Sequence, residues 1–200
     1  MSRVFVTADT HFNHTNICGP SISKWDSGYR HFNSLAEMNA TIINNINAVV
    51  GVDDVLWHLG DFAFGNKAEI PNLRRRINCG TIHLILGNHD HVLDCDDKKY
   101  RQEYADCFEN IVRYKEMRVA GGKLVTLFHY PIGSWNEIGR GAIQLHGHCH
   151  DSYARTIGKQ RDVGVDASDF KPLLLDTVVS DMEKVAVEFT DHHTKETNYH

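Results

Sequence analysis

The sequence has no CxxC pair, no apolar run of membrane-spanning length, no basic stripe and no internal repeat. Each absence removes a class of protein. Cys18, Cys79, Cys95, Cys107 and Cys149 form an odd set, which reads as free thiols in a reducing compartment rather than a disulfide framework. Without about 18 consecutive apolar residues no membrane helix is expected. The start Met-Ser-Arg-Val-Phe-Val enters a strand at once, with no room for a signal peptide, so the expected location is the cytoplasm. A net charge of −5 argues against long nucleic acid or a membrane surface as partner. It leaves room for a small phosphorylated ligand, because bound metal reverses the local sign. A length of 200 residues fits one domain; we expect it over residues 1–190, with 191–200 a frayed polar tail. What the chain has in excess is histidine, fourteen residues unevenly placed.

The histidines cluster where apolar runs stop. Val4 to Ala8 reads as a buried strand delivering Asp9-Thr10-His11. Residues 12–33 lack periodicity and read as a loop beside the active face, the place to look for specificity. Ser34 and Glu37 make a capping box, and Leu35, Met38, Ile42, Ile43, Ile46 and Val49 repeat at helical spacing, which predicts a helix over 35–49. Val55 to Leu59 is a second strand, ending at Gly60-Asp61. A helix over 67–77 precedes a strand at 81–86, which runs into Gly87-Asn88-His89-Asp90. A helix is expected over 97–108, then strands over 112–119 and 124–128 joined at Gly121-Gly122, the second delivering His129. A strand over 142–145 leads to His146-Gly147-His148-Cys149-His150. Another short strand is expected over 162–165, and a closing helix from Asp176. Strands and helices alternate early and strands dominate late, which implies an α/β architecture, two mixed sheets packed face to face between helices.

Period-2 alternation at a strand end sends Asp9 and His11 to one side, and likewise His148 and His150, with Thr10 and Cys149 pointing away. With Asp61, Asn88 and His129, seven ligand-type side chains then meet on one rim. Imidazole, carboxylate and amide oxygen together suit Mn, Fe, Zn or Ni rather than Ca or Mg. Seven ligands exceed one tetrahedral site, so two divalent ions sharing a carboxylate are expected, with manganese the ion to support activity in vitro. Two aspartates and a bridging hydroxide set three negative charges against four positive. The remainder, roughly +1, suits a phosphate ester.

The ordered set Asp9-x-His11, Gly60-Asp61, Gly87-Asn88-His89-Asp90, His129 and Gly147-His148-x-His150 resembles the calcineurin-like metallophosphoesterase superfamily, in particular compact bacterial and phage members. The resemblance implies a four-layer fold, a two-sheet β-sandwich flanked by helices. It also implies one ion held by Asp9, His11, Asp61 and His150, and a second held by Asp61, Asn88, His129 and His148. His89 would stabilise the attacked phosphoryl group or protonate the leaving oxygen, with Asp90 orienting it. A His beside a carboxylate is suited to such acid work. Protein phosphatases of the superfamily follow Gly-Asp with Asp-Arg-Gly. Here Phe62-Ala63-Phe64-Gly65 follows, which turns expectation toward a small phosphodiester of nucleotide, cyclic nucleotide or dinucleotide type, attacked by a metal-bridging hydroxide. A phosphomonoesterase, a nuclease and a non-catalytic binding module on the same fold are the alternatives. Among lesser candidates, His14, Arg30 and Arg140 stand in loops beside the motifs, as expected substrate contacts. His58 and His146 lie inside strand patterns and read as hydrogen-bonded core histidines.

Overall fold

The computed structural model describes residues 2–19, 28–153 and 156–188. Strands β1 (Val4–Thr7), β2 (Val55–His58), β3 (Thr81–Ile85) and β4 (Asn110–Val112) pair side by side in parallel. Parallel neighbours need a crossover. Helix α1 (Leu35–Val49) supplies it between β1 and β2, and α2 (Ile70–Arg75) between β2 and β3. The start of α1 is fixed from both directions, since Ser34 Oγ accepts the Glu37 N–H and the Glu37 carboxylate accepts the Asn33 N–H. Strand β9 (Leu173–Leu174) runs antiparallel to β1, giving the order β4-β3-β2-β1-β9. A second sheet, β5-β6-β7-β8, contains β5 (Tyr114–Arg118), β6 (Leu124–Phe128), β7 (Ile143–His146) and β8 (Gln160–Asp162), with only the β5–β6 pair antiparallel.

Alternation along the strands sorts two cores. Phe5, Leu56, Ile82 and Leu84 face Met38, Ile42, Ile46, Ile70 and Leu73 of the helices. Their neighbours Val6, Trp57 and Ile85 point the other way and meet Val125, Leu127, Ile143 and Leu145 of the second sheet. Helix α4 (Leu175–Glu183) adds Leu175, Val178 and Met182 to this middle layer. The outer face of the second sheet is covered by Trp135 and Ile138. The result is two mixed sheets flanked by helices, as the alternation of elements implied.

Several boundaries differ from expectation. Residues 112–119 are not one strand: Asn110–Val112 belongs to the first sheet, Tyr114–Arg118 to the second, and the chain changes sheet at Arg113. The helix expected over 97–108 shrinks to α3 (Gln102–Ala105). Asp94 and Asp97 side chains capture the N–H groups of Asp96 and Lys99, turns that compete with helix. The helix expected over 67–77 splits into a 3₁₀ turn (Lys67–Glu69) and α2, whose first turn holds Pro71. Residues 163–165 leave the second sheet, and Gly164 bridges to Ala8 beyond β1. In the loop 12–33, Phe12 bridges to Ala63 and Cys18 to Arg30; residues 20–27 of that loop and the tail 191–200 lie outside the described residues. All five cysteines are free thiols. Among the described residues no helix is long and apolar enough to cross a membrane.

Candidate metal centre

The C-terminal ends of β1, β2, β3, β6 and β7 open onto one rim, and the loops that leave them carry the seven candidate ligands. Asp9 and His11 do not reach that rim by strand alternation, because β1 stops at Thr7. Both have left-handed backbones (φ 56° and 46°), as do Asp61 (57°), His148 (70°) and His150 (49°). Left-handed non-glycine residues are uncommon, cost energy, and gather at functional sites. The kinks aim Asp9 and His11 together while Thr10 turns inward. There its hydroxyl donates to the Phe62 carbonyl at 2.7 Å and therefore accepts from His58 Nε2 at 2.9 Å. His58 is thus a hydrogen-bonded core histidine, its pKa pushed down to about 3 by burial.

Two groups form. Ligand atoms of Asp9, His11 and His150 lie within 4.8 Å of one another, and so do those of Asp61, His129 and His148. Asp61 stands between them, with Oδ2 3.4 Å from His11 Nε2 and 3.5 Å from His129 Nε2. Asn88 Oδ1 lies 3.0 Å from both His129 Nε2 and His148 Nδ1. His129 Nδ1 sits 2.7 Å from the Leu59 carbonyl. Only an N–H pairs with a carbonyl, so Nδ1 carries a proton and Nε2 is the nitrogen that faces the cluster, toward Asn88 and Asp61. The halves are tied across the sheets by the His148 N–H, which donates to Asp9 Oδ2 at 2.9 Å. Two glycines make room. A Cβ on Gly147 would stand 2.5 Å from Asp9 Oδ2, and one on Gly87 would collide with Asp61 Oδ1.

The donor set fits a divalent ion. Asp9 Oδ1 and His11 Nε2 are buried with no hydrogen-bond partner, a costly state unless a cation meets them. Burial raises the Asp9 carboxyl to about 7 and lowers His11 well below the usual imidazole range. Burial also works against charge on His129, yet its hydrogen bond and attraction to Asp61 lift it to about 9. Burial thus favours the neutral forms of Asp9 and His11, and only His129 gains charge from its carboxylate neighbour. A third acidic group, Asp94, Cys95 and Asp96, is different, since Arg113 already pairs with both aspartates.

His89 and His14 complete the rim. The His89 N–H donates to Asp61 Oδ1 at 2.8 Å, and its carbonyl accepts from Lys67 Nζ at 2.7 Å, which also binds the Ala63 carbonyl. Its ring packs edge-on against Phe64, centroids 4.9 Å apart, and lies 5.4 Å from His11. His14 stacks on Phe64 at 3.9 Å and reaches His11 Nδ1 at 3.2 Å. Three expectations need correction. Asp90 does not orient the His89 imidazole; buried, it accepts the main-chain N–H groups of Asp61, Gly87 and Phe62 at 2.7, 2.9 and 3.1 Å. Arg30 is 1% exposed and its guanidinium is committed to Asp166 and to the carbonyls of Asp9 and Thr10. Arg140 precedes β7, whereas His148 and His150 follow it, so a whole strand separates the arginine from the rim. The sequence reading also missed Asp166, whose Oδ2 lies 2.7 Å from His150 Nδ1. Its signal was the aspartate at the end of Val163-Gly164-Val165-Asp166, to which no role had been given.

Residues 2–193 match the family described as calcineurin-like phosphoesterase. An uncharacterized protein of Methanocaldococcus jannaschii, MJ1445, is 31% identical over 191 residues, covering 92% of this chain and 93% of its own. The Gene 66 protein of Mycobacterium phage L5 is 32% identical over 190 residues, covering 84% of this chain and 88% of its own. A crystal structure of an Aquifex aeolicus protein of unknown function superposes with a TM-score of 0.63 at 23% identity, covering 90% of this chain and 99% of that one. That likeness concerns the fold.

Proposed function

Because the chain belongs to the calcineurin-like phosphoesterase family, we propose that it is a two-metal phosphoesterase acting on a small phosphodiester. The observation that carries this reading is the pair of three-residue groups with Asp61 Oδ2 within 3.4 and 3.5 Å of an imidazole nitrogen in each. Asp9, His11 and His150 would hold one ion, His129, His148 and Asn88 the other, and Asp61 would serve both. Bound divalent ions supply an acidified water and offset negative charge at phosphorus; manganese is our choice for assay.

The chain's own residues then divide the work. His89 is assigned the proton for the leaving oxygen. Its backbone is pinned on both sides, by Asp61 and by Lys67, and Phe64 supports its ring, so the imidazole enters the reaction already oriented. His14, stacked on the face of Phe64 with its ring centroid 6.3 Å from that of His89, lines the same rim and is assigned to the substrate. The preference for a diester follows from charge. A monoester dianion asks for one more cation than a diester monoanion. Arg30 is committed, Arg140 is remote, and Lys67 is turned onto two carbonyls.

Hydrolysis of bis-p-nitrophenyl phosphate and p-nitrophenyl phosphate should be compared with Mn²⁺, Zn²⁺, Ni²⁺ or chelator, with Asp61→Asn as the blank. Metal-dependent cleavage favouring the diester is expected, and preference for the monoester would reverse the substrate assignment. His89→Ala should lower turnover of a diester with a poor leaving group by roughly 10²–10⁴ with metal content unchanged. Full activity in that variant would remove the proton from His89.

A further inference from the structure

We infer that Arg30 and Asp166 are a positioning pair for one half of the metal centre, setting His150 and the backbone of Asp9 so that the ion of the Asp9–His11–His150 group binds. The inference rests on the metal reading above and assigns functions to two residues that hold no ion themselves.

Arg30 is the largest fully buried side chain among the described residues. Taking a guanidinium out of water costs several kcal/mol unless its donors are met. Here Nε and Nη2 grip Asp166 Oδ1 and Oδ2 at 2.7 and 2.6 Å. Nη2 also donates to the Asp9 carbonyl at 2.6 Å and Nη1 to the Thr10 carbonyl at 3.0 Å. The face of the group lies over the Phe170 ring. The two-pronged pair with Asp166 balances the buried charge, and the guanidinium's other donors need partners of their own. The remaining contacts fall on the candidate centre. The two carbonyls belong to the stretch between Asp9 and His11, both left-handed. Asp166 Oδ2 in turn accepts from His150 Nδ1 at 2.7 Å. A carboxylate only accepts, so Nδ1 holds the proton and Nε2 is left for an ion. One guanidinium thereby fixes the main chain under Asp9 and, through Asp166, the ring of His150. These are two members of a single ligand group.

The other group is built differently. The Nδ1 of His129 is held by the neutral Leu59 carbonyl, not by a carboxylate. Nor does Arg30 touch any member of that group. Loss of the pair should therefore be felt by one ion and not by both, which a merely structural role would not produce. This also gives the loop 12–33 a task other than the expected specificity. The Arg30 N–H donates to the Ile17 carbonyl and the Gly19 N–H to the Arg30 carbonyl, so the loop delivers a cation beneath the ligands instead of above them.

The test is calorimetric titration of the metal-stripped full-length chain with Mn²⁺, alongside Asp166→Asn, His150→Ala and the double variant. The wild type should bind two ions per chain. Asp166→Asn should weaken one ion by about 10–100-fold, the usual cost of losing such a partner, leave the other unchanged, and have a smaller effect where His150 is already alanine. Equal weakening of both ions, unchanged binding, or the same loss in the His150→Ala background would overturn the inference. A wild type that takes up no ion would overturn the metal reading, and the inference with it. If Asp166→Asn does not fold, as judged by circular dichroism, Arg30→Lys keeps the charge and loses the fork. It should weaken the same single ion, and weakening of both would refute the pair's role.

Discussion

Replacing Asp90 separates two roles that one carboxylate can play beside a catalytic histidine. In the structure it is a clamp: 1% exposed, it collects three main-chain N–H groups, two from the loop after β2 and one from the loop after β3. In Asp90→Ala all three donors are stranded in the core. At about 1–3 kcal/mol for each buried donor left unpaired, the loss comes to about 3–9 kcal/mol, a large part of the 5–15 kcal/mol typical of a folded domain. Asp90→Asn is gentler. Its amide oxygen can take the place of Oδ2 and keep the Asp61 and Gly87 donors, but its NH₂ then faces the Phe62 N–H. One charge-assisted bond is lost, worth about 1.5–3 kcal/mol. With a urea slope of about 2 kcal/mol per molar, the midpoint should fall by roughly 1 M. The assay is urea unfolding of metal-stripped protein followed by circular dichroism, with turnover measured on the same preparations. If Asp90→Asn unfolds at the wild-type midpoint while turnover falls about 100-fold, the clamp is refuted, and the carboxylate acts through the His89 imidazole as its sequence position implied.

Other perturbations have equally definite outcomes. Gly147→Ala places a methyl group 2.5 Å from both Ala8 Cβ and Asp9 Oδ2, so it should cost about 1–3 kcal/mol by overpacking and reduce bound metal by one equivalent, read by elemental analysis. Lys159 is buried and donates to the carbonyls of Met182, Glu183 and Val185 at the end of α4; Lys159→Met should lose about 2 kcal/mol, seen as a melting temperature lower by roughly 4–8 °C. Asp54 accepts the Arg3 guanidinium, the Gly51 N–H and the Arg3 N–H, which hold its carboxyl below the usual range. A depressed carboxyl stabilises the fold above the unfolded pKa of about 3.9 and loses that contribution as pH falls through the folded value. The gap in melting temperature between wild type and Asp54→Asn should therefore be full at pH 7, begin to shrink only below about pH 4, and close as pH falls through the folded value. A gap that stays constant would show that the pair does not act through charge.

Much of this was legible in the residues. Ser34 with Glu37 announced α1 because capping and helical spacing are local signals, and the apolar runs announced strands whose ends carry the ligands. The way Asp9 and His11 come together was not legible. Alternation assumed extended backbone, whereas both are left-handed, and a sequence marks such kinks only where glycine occupies them. Arg30 read as a substrate contact in a loop because composition cannot show that an arginine is enclosed. The carboxylate that encloses it is Asp166, 136 positions away. Asp90 was assigned to its neighbour His89, although its partners lie on the loop after β2. Contacts near in sequence were read well; those made by the packing of loops from different strands were not.

The candidate ligands hang from two separate sheets: Asp9, His11, Asp61 and Asn88 from the first, His129, His148 and His150 from the second. Each three-residue group draws on both. The rim thus works as a caliper whose jaws are the sheets and whose gap is set by the thickness of the apolar layer between them. Val125, Leu127, Ile143 and Leu145 carry no donor atom, yet they fill that layer. The distance between the jaws, and with it the room for the proposed ions, is accordingly set in part by the volume of the core.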